Sequence, residues 1–195
     1  MIDIIKSRRS TRKFKSDMIS DEELSKVIDA AVYAPSGCNV QTAHYIVIKN
    51  REILDNLAEL VKNEFAGMTA DDNTFGSVRH SIEASRSGNY IFHYNPAVLI
   101  IAANSVDNPN AIADTACAIE NMMLVANSLN LGSCWINQLR WLQDNVNINN
   151  YLHSLGMKEG EKVYASLALG YPDTDSGMPD KTPLKRFGNT VTVVE

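Results

Sequence analysis

The feature that most limits how this chain can fold is a seven-residue apolar run, Ala97 to Ala103, introduced by Pro96. Crossing a bilayer takes roughly 20 apolar residues, so this run reads as a strand buried in a protein core. The segments around it alternate helical and strand patterns. Ser20-Asp21-Glu22-Glu23 has the form of a capping box, and Leu24, Val27, Ile28 and Ala31 follow at helical spacing until Pro35. His44 to Lys49 reads as a short strand, and Asn50 can cap a helix with Ile53, Leu54, Leu57 and Val61 on one face.

From about Pro109 to Leu131 a long helix carries Ile112, Ala116, Ile119, Met123 and Ala126, with Gly132 expected to end it. A strand at Ser133 to Ile136, a helix around Ile148 to Leu155, a strand at Val163 to Leu169 and a closing strand at Thr190 to Val194 complete the pattern. Residues 67 to 90 lose periodicity and collect Gly, Ser, Asp and Asn, which suggests a mobile surface excursion able to act as a lid. Residues 171 to 195 form an extended arm, rich in Pro, Gly and Asp up to Gly188, that can reach a partner subunit. At 195 residues the expected organisation is one domain spanning 1–195.

Composition narrows the partners. Hydrophobic residues make up 45% and charged residues 21%, as in a folded globular chain, and a net charge of −5 disfavours nucleic acid or an anionic membrane. No apolar stretch of signal-peptide type opens the chain, so a cytoplasmic location is expected. Cys38, Cys117 and Cys134 are too few and too widely spaced for a disulfide framework. His44, His80, His93 and His153 lie far apart without companion ligands, so no metal site is expected. Glycine-rich nucleotide loops, HExxH and GxSxG are absent.

Within this acidic chain, Lys6 to Lys15 places six cations in ten residues. Arg8-Arg9-Ser10-Thr11-Arg12 combines guanidinium forks with a hydroxyl, a set suited to a phosphate monoester; taken in isolation, a solvated charge run or a nucleic-acid patch is the favoured alternative. Lys181, Lys185 and Arg186 form a second basic group that matters only if folding joins the two ends. The loop Ala34-Pro35-Ser36-Gly37-Cys38-Asn39-Val40-Gln41 concentrates amides and hydroxyls, and Asn39 and Gln41 offer donors and acceptors matching the pyrimidine edge of a flavin; an ordinary Asx or Ser turn is the equal alternative. In Gly132-Ser133-Cys134-Trp135-Ile136-Asn137 the glycine permits close approach of a planar ligand, and Cys134 reads as a packed thiol.

Taken in order, these segments resemble the FMN-dependent nitroreductase family over nearly the whole chain. The Arg8 to Arg12 stretch resembles the family's flavin-phosphate motif, Ala34-Pro35-Ser36 with Asn39 and Gln41 its isoalloxazine-side loop, and Gly132 to Asn137 its second flavin loop. Phe92 to Leu99, Asp114 to Asn121 and Leu169-Gly170-Tyr171-Pro172 also fit, as a core-strand segment, a dimer-forming helix and a late motif.

The resemblance implies an α+β fold, a central, mainly antiparallel sheet flanked by helices, in an intertwined homodimer. FMN would lie in each interfacial cleft, held by Arg8, Arg9, Ser10, Arg12, Pro35, Ser36, Asn39, Gln41, Trp135, Ile136 and Asn137, with Lys185 and Arg186 joining the phosphate and Lys181 as a substitute. NADH or NADPH would donate electrons that pass, in alternating half-reactions, to small-molecule acceptors such as nitroaromatics or quinones, the flavin carrying the chemistry without a catalytic side chain. The alternatives are a non-catalytic flavin-binding or redox-sensing module and a same-fold flavin dehalogenase or dehydrogenase. Two departures are visible: where the family usually has Gln-Pro-Trp, this chain has Gln41-Thr42-Ala43, and the region from 67 to 90 matches no specific subgroup.

Overall fold

The computed structural model describes all 195 residues. The elements in chain order are α1 (Ile2–Ser7), α2 (Asp21–Val32), a 3-10 turn (Gly37–Asn39), β1 (His44–Ile48), α3 (Arg51–Gly67), α4 (Gly76–Arg86), β2 (Val98–Ser105), α5 (Ala111–Ser128), β3 (Gly132–Ile136), α6 (Gln138–Trp141), α7 (Val146–Ser154) and β4 (Glu161–Gly170). The strands form one sheet in the order β1-β2-β4-β3, antiparallel throughout.

The apolar run explains the layering. Strand side chains alternate between faces, so Leu99, Ile101 and Ala103 of β2 enter one core while Val98, Ile100 and Ala102 enter another. The first core is closed by Leu54, Leu57, Val61 and Phe65 of α3, Ile82 of α4, Leu139 of α6 and Leu152 of α7. The second is closed by Leu24 and Val27 of α2 and by Ala118, Ile119, Met122 and Ala126 of α5. Opposite β2, the register of β4 slips between Ala102 and Ala103, which pair with Ala165 and Val163 and leave Tyr164 as the extra residue. This bulge puts Val163 in the first core and Ala165, Leu167 and Leu169 in the second.

Local signals place the helices. The Ser20 hydroxyl accepts from Glu23 N–H at 3.2 Å while the Glu23 carboxylate accepts from Ser20 N–H at 3.1 Å, completing the capping box of α2. Asn50 accepts from Ile53 N–H to start α3. The Tyr171 hydroxyl donates to Glu23 at 2.8 Å, tying the end of β4 to the start of α2.

Three expectations need correction. Residues 67–90 are not an aperiodic excursion, for α4 occupies 76–86; its buried positions are Ser81, Ile82 and Ser85, so two of three carry no hydrophobic signal. Thr190 to Val194 form no strand: Val191, Val193 and Val194 are 77–90% exposed, and no strand of this chain pairs with them. Gly132 does not end α5, because Asn130, at φ 62°, takes the left-handed position and Leu131 N–H closes back on the Ala126 carbonyl at 2.8 Å. The short helix α1 buries no side chain, which is why no periodicity announces it. No helix is long and apolar enough to cross a membrane.

Phe65 is fully buried, and its ring meets Tyr90 edge-on at 6.4 Å. Phe65→Ala is expected to cost about 3–5 kcal/mol, read as a lower urea midpoint with an unchanged slope.

Candidate active site

Beyond α1 the basic segment crosses the end of the sheet as a strap fixed by its backbone. Ser10 bridges Ser133 in parallel, and Thr11 N–H donates to the Ser133 carbonyl at 2.9 Å. Phe14 bridges Pro172, Lys15 N–H donates to the Tyr171 carbonyl, and Asp173 N–H donates to the Lys13 carbonyl. The close approach at Gly132 serves this strap, since a Cβ there would fall 2.7–2.9 Å from Thr11 side-chain atoms. That corrects the expectation of a planar ligand beside this glycine.

The strap and the carboxy-terminal arm enclose a polar groove of about 200 Å³ lined by Arg9 to Lys13, Pro172 to Thr174, Pro179 and Asp180. Arg9 lies 2.9 Å from the Asp180 carboxylate and donates to the Thr182 carbonyl at 3.0 Å, while Lys181 donates to Asn130 at 2.6 Å. Folding therefore joins the two basic ends through residues 180–182. Lys185 and Arg186 lie further along the exposed arm and do not line this groove; Lys185 sits 5.2 Å from the Phe187 ring centre.

A larger cavity of about 720 Å³ adjoins the strap at Arg12. Its floor is Cys134 to Gln138, its side Asn89, Tyr90, Ile91, Tyr94 and Asn95, and its roof Gly76, Ser77, His80, Ser81 and Ala84 of α4 with Trp141 of α6. Arg12 stacks over Tyr94 at 6.0 Å. Trp135 Nε1 donates to the Asn137 side chain at 2.7 Å, and Gln138 accepts from Asn137 N–H and donates to the Tyr90 hydroxyl at 2.9 Å. Tyr90 in turn lies 2.8 Å from the Ser81 hydroxyl, so one chain of hydrogen bonds links floor to roof. Ile136 is 2% exposed with its side chain in the core, so what it offers the cavity is its backbone. Burial raises the pKa of the Cys134 thiol against the pull of Arg12 and Ser10, consistent with a packed thiol.

The side wall rests on His93, which is fully buried. Its Nε2 lies 3.0 Å from the Leu54 carbonyl and its Nδ1 accepts from Asn95 N–H at 3.1 Å, the pattern of a neutral imidazole. Those bonds brace Tyr94 and Asn95, both at positive φ. Burial lowers the His93 pKa. Its contribution is complete above the unfolded-state value of about 6.5 and is lost as pH falls below it, because only the unfolded chain readily takes the proton. A His93→Gln variant is expected to show a flatter stability profile between about pH 6.5 and 5 than the parent, measured by urea unfolding.

The amide-rich loop lies elsewhere. Pro35, Ser36 and Gln41 border a separate cavity of about 160 Å³ with Ala31, Tyr45 and Asp114, which shares no lining residue with the larger one. Gln41 N–H donates to the Ser36 hydroxyl at 3.1 Å, and Asn39 and Gln41 are exposed. Cys38, Asn39 and Gln41 all have φ between 51° and 54°, costly for side chains other than glycine. Burial, with the Asp114 charge behind it, pushes the neighbouring Tyr45 pKa up to about 12.

The chain thus gathers the strap with Trp135 to Asn137 and leaves Pro35 to Gln41 on another surface. Sequence reasoning missed the wall and roof of the large cavity, whose residues carry no motif, and the bond from Gly37 to Asp114, one of two acids on α5.

The Nitroreductase family model matches residues 5–171, and the chain belongs to the nitroreductase family. It is similar to a crystal structure of a nitroreductase with bound FMN from Bacteroides fragilis, with 37% identity, a TM-score of 0.83, and coverage of 100% of this chain and 98% of that one. A nitroreductase with bound FMN from Desulfitobacterium hafniense aligns at 25% identity and a TM-score of 0.81 over 100% and 97% of the two chains. The FMN reductase (NADPH) of Bacillus subtilis is 25% identical over 190 residues, 93% of this chain and 70% of that protein.

Gly132→Ala is expected to destabilise the fold by about 1–3 kcal/mol by pushing Thr11 off β3. Adding Thr11→Gly should restore part of the loss, seen as a coupling energy in a double-mutant cycle of urea midpoints.

Proposed function

We propose that this protein is an FMN-dependent NAD(P)H oxidoreductase that reduces small planar acceptors such as nitroaromatics or quinones. The observation that carries the reading is the strap, which is fixed by backbone pairing at Ser10 and Thr11, sets Arg12 at the mouth of an approximately 720 Å³ cavity and lines an adjoining polar groove with Arg9, Ser10 and Arg12. That volume lies inside the ~300–1,000 Å³ range of ligand pockets, and the adjoining cations suit a phosphate. The residues present fit the flavin: Arg8, Arg9, Ser10 and Arg12 would hold its phosphate, and Trp135, the Ile136 backbone and Asn137 would line its ring. Bound there, FMN supplies two-electron acceptance from NADH or NADPH and its return to the oxidised acceptor.

The chain's own residues perform the rest. Arg9 exchanges its contacts with Asp180 and Thr182 for the phosphate, Arg12 keeps positive charge at the cavity mouth that favours added negative charge on a bound ring, and the roof excludes water. Tyr90, Tyr94, Trp135 and Trp141 line the cavity with flat aromatic surface that favours planar acceptors.

Two features support a homodimer in which the second protomer completes each site. The ring-side loop of Pro35, Ser36, Asn39 and Gln41 stands apart from the phosphate cradle of its own chain. Exposed Met1 and Tyr33 line an apolar groove with Ile4, Ala30, Leu124 and Val125, Ile2, Ile5, Val32 and Ile112 are further exposed apolar side chains, and Leu184, Phe187 and Val191 are exposed on the arm. Lys185 and Arg186 would then reach phosphate only in the assembled pair.

The purified protein is expected to show flavin absorbance that bleaches with NADH or NADPH without oxygen; a colourless protein unable to take up added FMN overturns the reading. Arg9→Ala should weaken FMN binding by roughly 1.5–3 kcal/mol, as for a lost charge-assisted hydrogen bond, and unchanged affinity removes Arg9 from the cradle.

A further inference from the structure

We propose that Asp114, through its hydrogen bonds to Gly37 and Asn108, is the positioning residue that holds the loop from Ser36 to Thr42 in the shape that presents Asn39 and Gln41 to the flavin. The proposal rests on the assignment of that loop to the flavin ring. Asp114 lies in the first turn of α5, is 8% exposed, and stands 77 positions from the residue it anchors. One carboxylate oxygen accepts from Gly37 N–H at 3.0 Å and the other from the Asn108 side-chain amide at 3.0 Å. The same amide nitrogen donates to the Thr42 hydroxyl at 3.0 Å, and that hydroxyl donates to Asn104 Oδ1 at 2.7 Å, inside β2. Both ends of the loop are therefore moored to one buried carboxylate, Gly37 directly and Thr42 through Asn108, and the second end is also pinned to the sheet.

The backbone between the moorings shows why they are needed. Cys38, Asn39 and Gln41 occupy the left-handed region, where non-glycine residues persist only if surrounding contacts impose it. Gly37 itself leaves no room for adjustment, since a Cβ there would fall 2.3 Å from the Asn110 amide. With Asp114 removed, the strained backbone relaxes, and Asn39 and Gln41, which are exposed and whose side chains make no long-range hydrogen bond, lose their orientation.

The test compares the parent protein with Asp114→Ala and Asp114→Asn by amide hydrogen exchange of residues 37–41, FMN affinity, and visible circular dichroism of bound FMN. Asp114→Ala is expected to speed exchange at Gly37 to Gln41 and raise the FMN Kd, each about tenfold, and to diminish the flavin dichroism. Asp114→Asn should fall between, because its side-chain oxygen still accepts from Gly37. Unchanged exchange in a folded Asp114→Ala overturns the anchoring; faster exchange with FMN affinity and dichroism both unchanged overturns the positioning role. If the parent takes up no FMN, the flavin reading fails by itself and exchange alone decides whether Asp114 holds the loop. Should Asp114→Ala not fold, Asn108→Ala keeps the Gly37 bond while cutting the link to Thr42, and unchanged exchange and affinity in it overturn the proposal.

Discussion

The rest of the structure depends on β2 being buried on both faces. Val98 to Ala103 are each 0% exposed, so no surface of that strand can be left to water and the molecule must be three layers deep. Helices cover the faces of a sheet but not its edges, and the outer edge of β3 would otherwise present unpaired backbone groups. The strap meets that need at Ser133. A requirement of sheet physics thus brings the cationic segment to the end of the sheet, and an acidic protein gathers a local cluster of cations there.

The bulge at Tyr164 adds a second constraint. It reverses the faces of β4 partway along, and at the start of that strand the Glu161 carboxylate lies 2.8 Å from His44 of β1, reaching across β2 to the edge of the sheet. Burial works against ionisation of Glu161, yet the hydrogen bonds from His44 and Lys158 N–H outweigh it and hold its pKa below the usual value. The sheet ends opposite the strap are stapled by this contact, so rigidity is supplied on both sides of the molecule.

Most of the architecture was legible in the sequence because its signals are local. The capping box at Ser20, the Asn50 cap and the β2 run each announce an element by spacing alone, and the family resemblance supplied the mainly antiparallel sheet. What escaped has a common physical cause. The helix α4 buries serines, α1 buries nothing, and the valines of the tail lack a partner strand in one chain, so in each case hydrophobic periodicity misleads. For the candidate site, the cation cluster and the Gly132 to Asn137 loop were readable as motifs. The pairing of Gly37 with Asp114 was not, since nothing in a linear string shows which acid will meet which amide 77 residues away.

The roof of the large cavity has a consequence for how molecules enter. The helix α3 gives the core Leu54, Leu57, Ala58, Val61 and Phe65, whereas α4 gives it one isoleucine and two serines. Free energy of local opening scales with apolar surface returned to water, so α4 is the long helix cheapest to lift while the sheet stays folded. A breathing motion of the roof can then open the cavity while the sheet and the strap stay in place.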